Sequence, residues 1–212
     1  GAQGEDGDLL SFANVARAVN LNMQDGALII GQKQLEVAGF ERIEGSSYSD
    51  TIAGDNQSNI LYGADGADQL FGGGADDFIF FDAEDTAVNG GEGRDVAAAV
   101  GQEGVTIDMI AQELEVVIGG IGADTITLGG SDEILFAAGG DGADTFFIDY
   151  AEVESTRVLW GGEGADIYEF SDGVGGGIAV VAIEGLTKEM FASMSIEDLN
   201  LGDLNLSSFR AI

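Results

Sequence analysis

Aspartate recurs in this chain at a fixed distance from glycine and from one apolar residue. Between Gly45 and Ala98 six nine-residue units follow one another without insertion or loss: GSSYSDTIA, GDNQSNILY, GADGADQLF, GGGADDFIF, FDAEDTAVN and GGEGRDVAA. Position six holds Asp50, Asn59, Asp68, Asp77, Thr86 and Asp95. If two units make one coil, residues 18 apart lie one above the other, so that Asp50 and Asp68 form one column and Asn59, Asp77 and Asp95 a second. Coils stacked as paired strands stand roughly 4.7–4.9 Å apart, and carboxylates at that spacing repel strongly. A hard divalent cation between successive coils turns the repulsion into coordination, with loop carbonyls completing a shell of about 6–8 oxygens. Ligands that are all oxygen, numerous and flexible suit calcium better than magnesium. A merely solvated Gly/Asp turn does not explain why aspartate keeps phase with both glycine and the apolar position.

The elements that hold those carboxylates follow from the same period. Position one is Gly45, Gly54, Gly63, Gly72, Phe81 and Gly90, and glycine there permits positive φ and close backbone approach, so the first six residues read as a tight turn. The last three read as a strand whose middle side chain points opposite to its neighbours. That middle residue is Ile52, Leu61, Leu70, Ile79, Val88 and Ala97, which therefore face inward. Positions seven and nine face outward. On the side of Asn59, Asp77 and Asp95 they are Ile60, Tyr62, Phe78, Phe80, Val96 and Ala98, all apolar; on the other they are the mixed set Thr51, Ala53, Gln69, Phe71, Ala87 and Asn89. The apolar face is expected to be covered, by the second array or by a neighbouring domain.

The second half is less regular. GGIGADTIT at Gly119, GGDGADTFF at Gly139 and GGEGADIYE at Gly161 are well-formed units, but Asp124, Asp144 and Asp166 lie 20 and 22 residues apart, so each coil must carry a bulge or longer loop around GGSDEILFAA and IDYAEVESTRVLW. VTIDMI near Val105 alternates like a strand, and VNLNM near Val19 is its counterpart. GAQGED resembles a truncated unit ending in Asp6, and the chain does not start with Met, so it reads as a piece of something longer. Towards the end, GIAVVAIEGL is a strand candidate, and Met190, Phe191, Met194 and Leu199 have helical spacing. The expected divisions are residues 1–44 as a partial repeat with flanking strands, 45–98 as the first array, 99–170 as the second, and 171–212 as a cap of a strand and a short helix closing the open coil. A secretion or docking segment is the alternative for these last residues.

Composition narrows the function. Among 212 residues, 39 Asp plus Glu face 7 Lys plus Arg, a formal net charge of -32, which excludes nucleic acid and anionic membranes as partners. With 45% hydrophobic residues the chain is no acidic disordered tail. His, Cys and Pro are absent, which removes imidazole bases, thiol nucleophiles, the usual zinc sites and disulfide staples. A metal is the obvious remaining cross-link. No apolar run approaches the roughly 20 residues of a membrane span. Of the few cations only Arg94 and Arg157 lie near repeat turns, and no cluster of acid, base and charge neutraliser is visible, so no catalytic residue is assigned. The glycines carry no following GK with Ser or Thr, which argues against nucleotide phosphates, and no EF-hand loop occurs.

GGEGRDVAA and the units at Gly119, Gly139 and Gly161 resemble the G-G-x-G-x-D-x-U-x nonapeptide of repeats-in-toxin (RTX) proteins, the hemolysin-type calcium-binding family. The resemblance implies an all-β fold, a calcium-loaded parallel β-roll or right-handed β-solenoid. It also implies that one turn supplies carbonyls from positions two and four with its Asp, and the next turn on that side carbonyls from positions one and three with its Asp. Carried over, one calcium site uses Ser46, Tyr48, Asp50, Gly63, Asp65 and Asp68, and another Gly73, Ala75, Asp77, Gly90, Glu92 and Asp95. A third, of Asp55, Gln57, Asn59, Gly72, Gly74 and Asp77, departs by its asparagine and is expected to be weaker. Thr86 departs further, and no site is expected between it and Asp68. In the second array the sets are Gly120, Gly122, Asp124, Gly139, Asp141 and Asp144, then Gly140, Gly142, Asp144, Gly161, Glu163 and Asp166.

The resemblance further implies export through a bacterial type I channel and a secreted or cell-surface location. The expected function is a module that folds on calcium after export and stabilises a larger protein. Alternatives are an assembly subunit of a surface layer, adhesin or filament, acting through self-assembly or neighbouring domains, and an auxiliary part of a polysaccharide-active enzyme or other hydrolase.

Overall fold

The computed structural model describes residues 7–130, 135–148, 157–171 and 180–182. Asp6, most of the expected cap and parts of the two irregular loops lie outside these residues. The chain divides into two compact units, one running through Asp95 and the other starting at Val96. Among the described residues the fold is all-β, without a helix.

The first unit holds β1 (Leu9–Ser11), β2 (Val19–Asn22), β3 (Ala27–Ile30), β4 (Lys33–Glu36), β5 (Arg42–Glu44), β6 (Thr51–Ala53), β7 (Ile60–Tyr62), β8 (Gln69–Gly74), β9 (Phe78–Phe81) and β10 (Ala87–Glu92). Two parallel stacks follow from alternate units. β1, β5, β7 and β9 pair in that order, with Ile43, Leu61 and Ile79 in one row. β2, β6, β8 and β10 form the other, with Leu21, Ile52, Leu70 and Val88 in register. Each pairing inside the repeats joins residues 18 apart, as two units per coil require. The middle residues make the core: Ile52, Leu61, Leu70 and Ile79 are each 0% exposed, a burial contributing about 1.5–3 kcal/mol per side chain.

Two features go beyond a three-residue strand. β8 and β10 continue through the glycines that open the next unit, pairing Gly73 with Gly91, so part of each turn is also hydrogen-bonded strand. At the other end of that stack, β2 pairs in antiparallel fashion with β3, and β3 with β4, so a hairpin extends the parallel array. VNLNM forms β2, with Val19 and Leu21 buried.

The second unit holds β11 (Val96–Ala99), β12 (Thr106–Asp108), β13 (Val116–Ile118), β14 (Thr125–Leu128), β15 (Leu135–Asp141), β16 (Thr145–Ile148), β17 (Arg157–Glu163), β18 (Ile167–Phe170) and β19 (Val180–Ala182). The odd-numbered strands form one parallel stack and β12, β14, β16 and β18 the other. The 20- and 22-residue coils keep the pairing: Ile126 stands opposite Phe146, and Phe146 opposite Tyr168. The extra residues are therefore confined to the connections. Ile126 and Phe146 are fully buried, and the Phe146 and Tyr168 rings stack at 5.0 Å. VTIDMI forms β12, with Ile107 buried between exposed neighbours.

The apolar outer face of the first unit is a ladder of aromatic rings. Phe78 and Phe80 lie 4.6 Å apart, and Tyr62 meets Phe80 edge-on at 6.3 Å. Phe78 is buried, whereas Ile60, Tyr62 and Phe80 are half-buried.

Candidate metal sites

Each position-six aspartate stitches its coil to the preceding one. Oδ1 of Asp68 accepts the main-chain N–H of Asp50 (2.6 Å), Oδ1 of Asp77 that of Asn59 (2.7 Å), and Oδ1 of Asp95 that of Asp77 (2.7 Å). In the second unit Asp124 takes the N–H of Val105 (2.8 Å), Asp144 that of Asp124 (2.8 Å) and Asp166 that of Asp144 (3.1 Å). The first ladder ends at Val19, whose N–H donates to Asp50 Oδ1 (2.7 Å). The ladder buries its carboxylates: Asp68, Asp77 and Asp95 are each 0% exposed.

The second oxygen of these carboxylates carries the chemistry. Oδ2 of Asp68, Asp77 and Asp144 is buried and accepts no hydrogen bond. Such an oxygen costs several kcal/mol to desolvate unless a cation meets it. The position-one glycine lies against it. A Cβ on Gly72 would collide with Asp77 Oδ2 and with the Gly90 carbonyl, and a Cβ on Gly139 with Asp144 Oδ2 and the Gly161 carbonyl. Oδ2 and the position-one carbonyl of the next coil therefore converge, and only glycine leaves the space between them open. In the unit at Gly139 positions two and four are glycines for a further reason: Gly140 and Gly142 have φ of 101° and 149°, and a Cβ on either would strike a carbonyl of the preceding coil, Gly120 or Gly122. Ala64 and Ala75 take left-handed φ of 72° and 65° at the same two positions, a strain of roughly 1–2 kcal/mol for a residue with a Cβ.

The expected site residues make contacts of several kinds. Ser46 is buried and donates its N–H to Asp50 Oδ2 (2.5 Å) and its hydroxyl to Oδ1 (2.9 Å). Gly120 donates similarly to Asp124 Oδ2 (2.9 Å). The side chains of Tyr48, Gln57, Asp65 and Glu92 are exposed to solvent, so any part they take in a site is through their backbone carbonyls. Gly73 and Gly74 lie in β8 beside their counterparts Gly91 and Glu92, and Asp141 pairs with Glu163. Asn59 departs from the ladder: its Oδ1 accepts the Asp55 N–H of its own unit (2.8 Å), its Nδ2 is buried without a partner, and it presents a neutral amide oxygen where its neighbours present a carboxylate. Among the described residues no three carboxylates converge on one point, so a cation at any of these edges must draw on backbone carbonyls.

At Thr86 the hydrogen-bonded ladder continues through a neighbouring residue. Thr86 donates its N–H (2.8 Å) and hydroxyl (3.0 Å) to the Asp68 carbonyl, and Asp85, one residue earlier, takes over the aspartate's place in the ladder. Its Oδ1 accepts the N–H of Asp68 and its Oδ2 that of Asp82, both at 2.9 Å. The signal in sequence is an acidic residue beside the vacant position six, which strict alignment on the nine-residue period passes over.

Burial sets the electrostatics. Desolvation pushes the Asp68 carboxyl to about 7, Asp77 to about 8 and Asp144 to about 6, from an ordinary 3.8. The ladder N–H groups pull the other way, and neighbouring carboxylates add to the rise. Burial likewise raises Asp124 and Asp85. These groups resist ionisation in the bare protein, and a bound cation reverses that preference. Orphaned Oδ2 atoms, a glycine cradle of carbonyls and an all-oxygen donor set fit calcium.

Of the two arginines near repeat turns, Arg157 is buried and donates from Nη2 to the Gly129 carbonyl (2.9 Å). Arg94 gives its main-chain N–H to Asp76 Oδ1 (3.0 Å).

A family model described as RTX calcium-binding nonapeptide repeat (4 copies) matches residues 44–79, 115–146 and 158–174. No curated protein and no solved structure matches the chain.

Proposed function

Because the chain belongs to the RTX calcium-binding nonapeptide repeat family, we propose that this calcium-binding β-roll module is exported as an open chain and folds outside the cell when calcium joins its coils. The observation that carries the reading is the row of buried aspartate oxygens, Oδ2 of Asp68, Asp77 and Asp144, that accept no hydrogen bond. Without cations their desolvation and the net charge of -32 oppose folding. With calcium the binding free energy becomes folding free energy. Sites with dissociation constants of about 10⁻⁵–10⁻³ M fill at extracellular calcium and stay empty in the cytosol. The role is structural rather than catalytic. Support comes from the lack of His and Cys and from Arg157 being spent on the Gly129 carbonyl inside the unit.

The test is a calcium titration of the chelator-stripped chain followed by far-ultraviolet circular dichroism, with magnesium as control. Cooperative gain of β-structure with calcium alone supports the reading. A stripped chain already folded and indifferent to calcium overturns it.

A second reading rests on the Tyr62, Phe78 and Phe80 ring ladder, an outer surface suited to assembly between copies or with a neighbouring domain. Calcium-dependent polymerisation, seen by light scattering and abolished by Phe80→Ser, distinguishes it.

A further inference from the structure

The coil carrying Thr86 lies outside the segments matched by the family model, the first of which ends at residue 79. It nevertheless keeps the aspartate hydrogen bonds of the coils around it, although Phe81 stands where they open on glycine. We propose that Asp68 and Asp85 hold a divalent cation of the calcium class on this coil, a site displaced by one residue from the nine-residue register. The inference rests on the calcium-binding reading and adds a position that the repeat pattern leaves out.

Three independent observations carry it. Asp85 occupies the ladder as a position-six aspartate does, with Oδ1 on the N–H of Asp68 and Oδ2 on the N–H of Asp82. Asp50 and Asp124 make the second kind of contact within their own units, to Ser46 and Gly120. The displaced aspartate therefore reproduces both hydrogen bonds, and each of its oxygens keeps a further lone pair.

The second observation is Asp68 itself. It is fully buried, its Oδ1 is turned back to the Asp50 N–H, and its Oδ2 accepts nothing. In the regular coils the corresponding oxygen lies toward the following coil: Asp77 Oδ2 and the Gly90 carbonyl both meet a Cβ placed on Gly72. Asp68 Oδ2 likewise lies 2.5 Å from a would-be Cβ on Gly63, although there the nearest atoms all belong to Asp68 and none to the following coil. Gly63 donates its N–H to the Phe80 carbonyl (3.5 Å), which sets the coil of residues 80–86 beside this orphaned oxygen.

The third is charge. The carboxyl groups whose charge bears on Asp68 are Asp85, Asp50 and Asp82, and each opposes its ionisation. Carboxylates held together by the backbone ladder need a cation, and the donors within reach are hard oxygens, which select calcium over softer metals. Since no three carboxylates converge on one point among the described residues, the ion rests on Asp68, Asp85 and loop carbonyls, with Asp82 adding negative charge from beside the site.

The experiment counts calcium ions per full-length chain at saturation by native mass spectrometry, for the wild type, Asp85→Asn, and the exposed neighbour Glu84→Gln as control. A coil with asparagine at position six still forms at Asn59, where Oδ1 accepts the Asp55 N–H and the main-chain N–H donates to Asp77, so Asp85→Asn is expected to fold and to bind one ion fewer, while Glu84→Gln matches the wild type. An unchanged count in Asp85→Asn overturns the proposal. Anomalous diffraction from calcium-loaded wild-type crystals tests it without any variant: a peak between Asp68 and Asp85 supports the site, and peaks at the other coils without one here refute it. If the wild type binds no calcium at all, the failure is that of the calcium-binding reading itself.

Discussion

The main-chain N–H of Asn59 donates to Oδ1 of Asp77, 2.7 Å away and 18 residues further along the chain. One carboxylate thus joins two coils through one oxygen and leaves the other, Oδ2, buried without a donor. In the proposed reading, structural ladder and cation site are the same side chain, so substitutions can separate the two roles.

Asp77→Asn retains an acceptor for the Asn59 N–H but loses the charge, whereas Asp77→Ala loses both. In calcium the alanine variant is expected to be the less stable by a further ~0.5–1.5 kcal/mol, the net worth of a hydrogen bond between neutral groups. Thermal unfolding at fixed calcium checks the order. Equal melting temperatures would show that the ladder bond contributes nothing.

Asn59→Asp restores a carboxylate at the column position where the first array carries an amide. Calorimetric titration is expected to show tighter binding at the weakest site, on the order of tenfold, equivalent to ~1.4 kcal/mol. Weaker binding would mean that the Asn59–Asp77 edge takes no ion.

Gly72→Ala is expected to be far more damaging than Gly74→Ala. The first would drive a Cβ into Asp77 Oδ2 and the Gly90 carbonyl, whereas the second meets at nearest Asn56 Oδ1 at 3.3 Å. Calcium affinity and melting temperature should both fall for Gly72→Ala and change little for Gly74→Ala.

Acid should stabilise the calcium-free fold and weaken calcium binding. The folded-state values of about 7, 8 and 6 for Asp68, Asp77 and Asp144 lie above the ordinary 3.8. The penalty for ionising them in the fold is therefore absent below the ordinary value and grows as pH rises from it through these values. The stripped chain should hold more β-structure at about pH 5 than at about pH 8. Calcium needs the ionised forms, so its apparent affinity should drop as pH falls through the same window, and binding near neutrality should release protons, visible as a buffer-dependent heat. No proton release would place the binding elsewhere.

Ile79→Ala removes a fully buried member of the Ile43, Leu61 and Ile79 row and is expected to cost about 2–5 kcal/mol. Ile60→Ala, on the half-buried outer face, should cost much less. Chemical denaturation in saturating calcium measures both.

Much of this architecture is legible in the primary structure because the period is short and strict. A glycine, an aspartate and an apolar residue in fixed phase specify the turn, the stacked carboxylate and the inward side chain. The 18-residue register that sets Ile52 beside Leu70 in one stack and Leu61 beside Ile79 in the other follows from counting alone. Even the longer coils of the second unit keep Ile126 opposite Phe146, since apolar burial holds the strands in line while the connections absorb the added residues.

Other features depend on contacts between residues that no period relates. The antiparallel hairpin on β2 and the Val19 N–H that ends the Asp50 ladder arise where an open edge must be satisfied by whatever chain lies next to it. Asp85 replaces the missing aspartate at position 86 because the Asp68 N–H needs an acceptor and the loop of residues 81–85 is bent tightly enough to bring one. Composition and spacing settle which residues recur and which way they face, since strand geometry is local. Which oxygen takes which N–H, and which is left for a cation, is set only when neighbouring coils pack, because hydrogen-bond satisfaction in a buried edge is a property of both coils together.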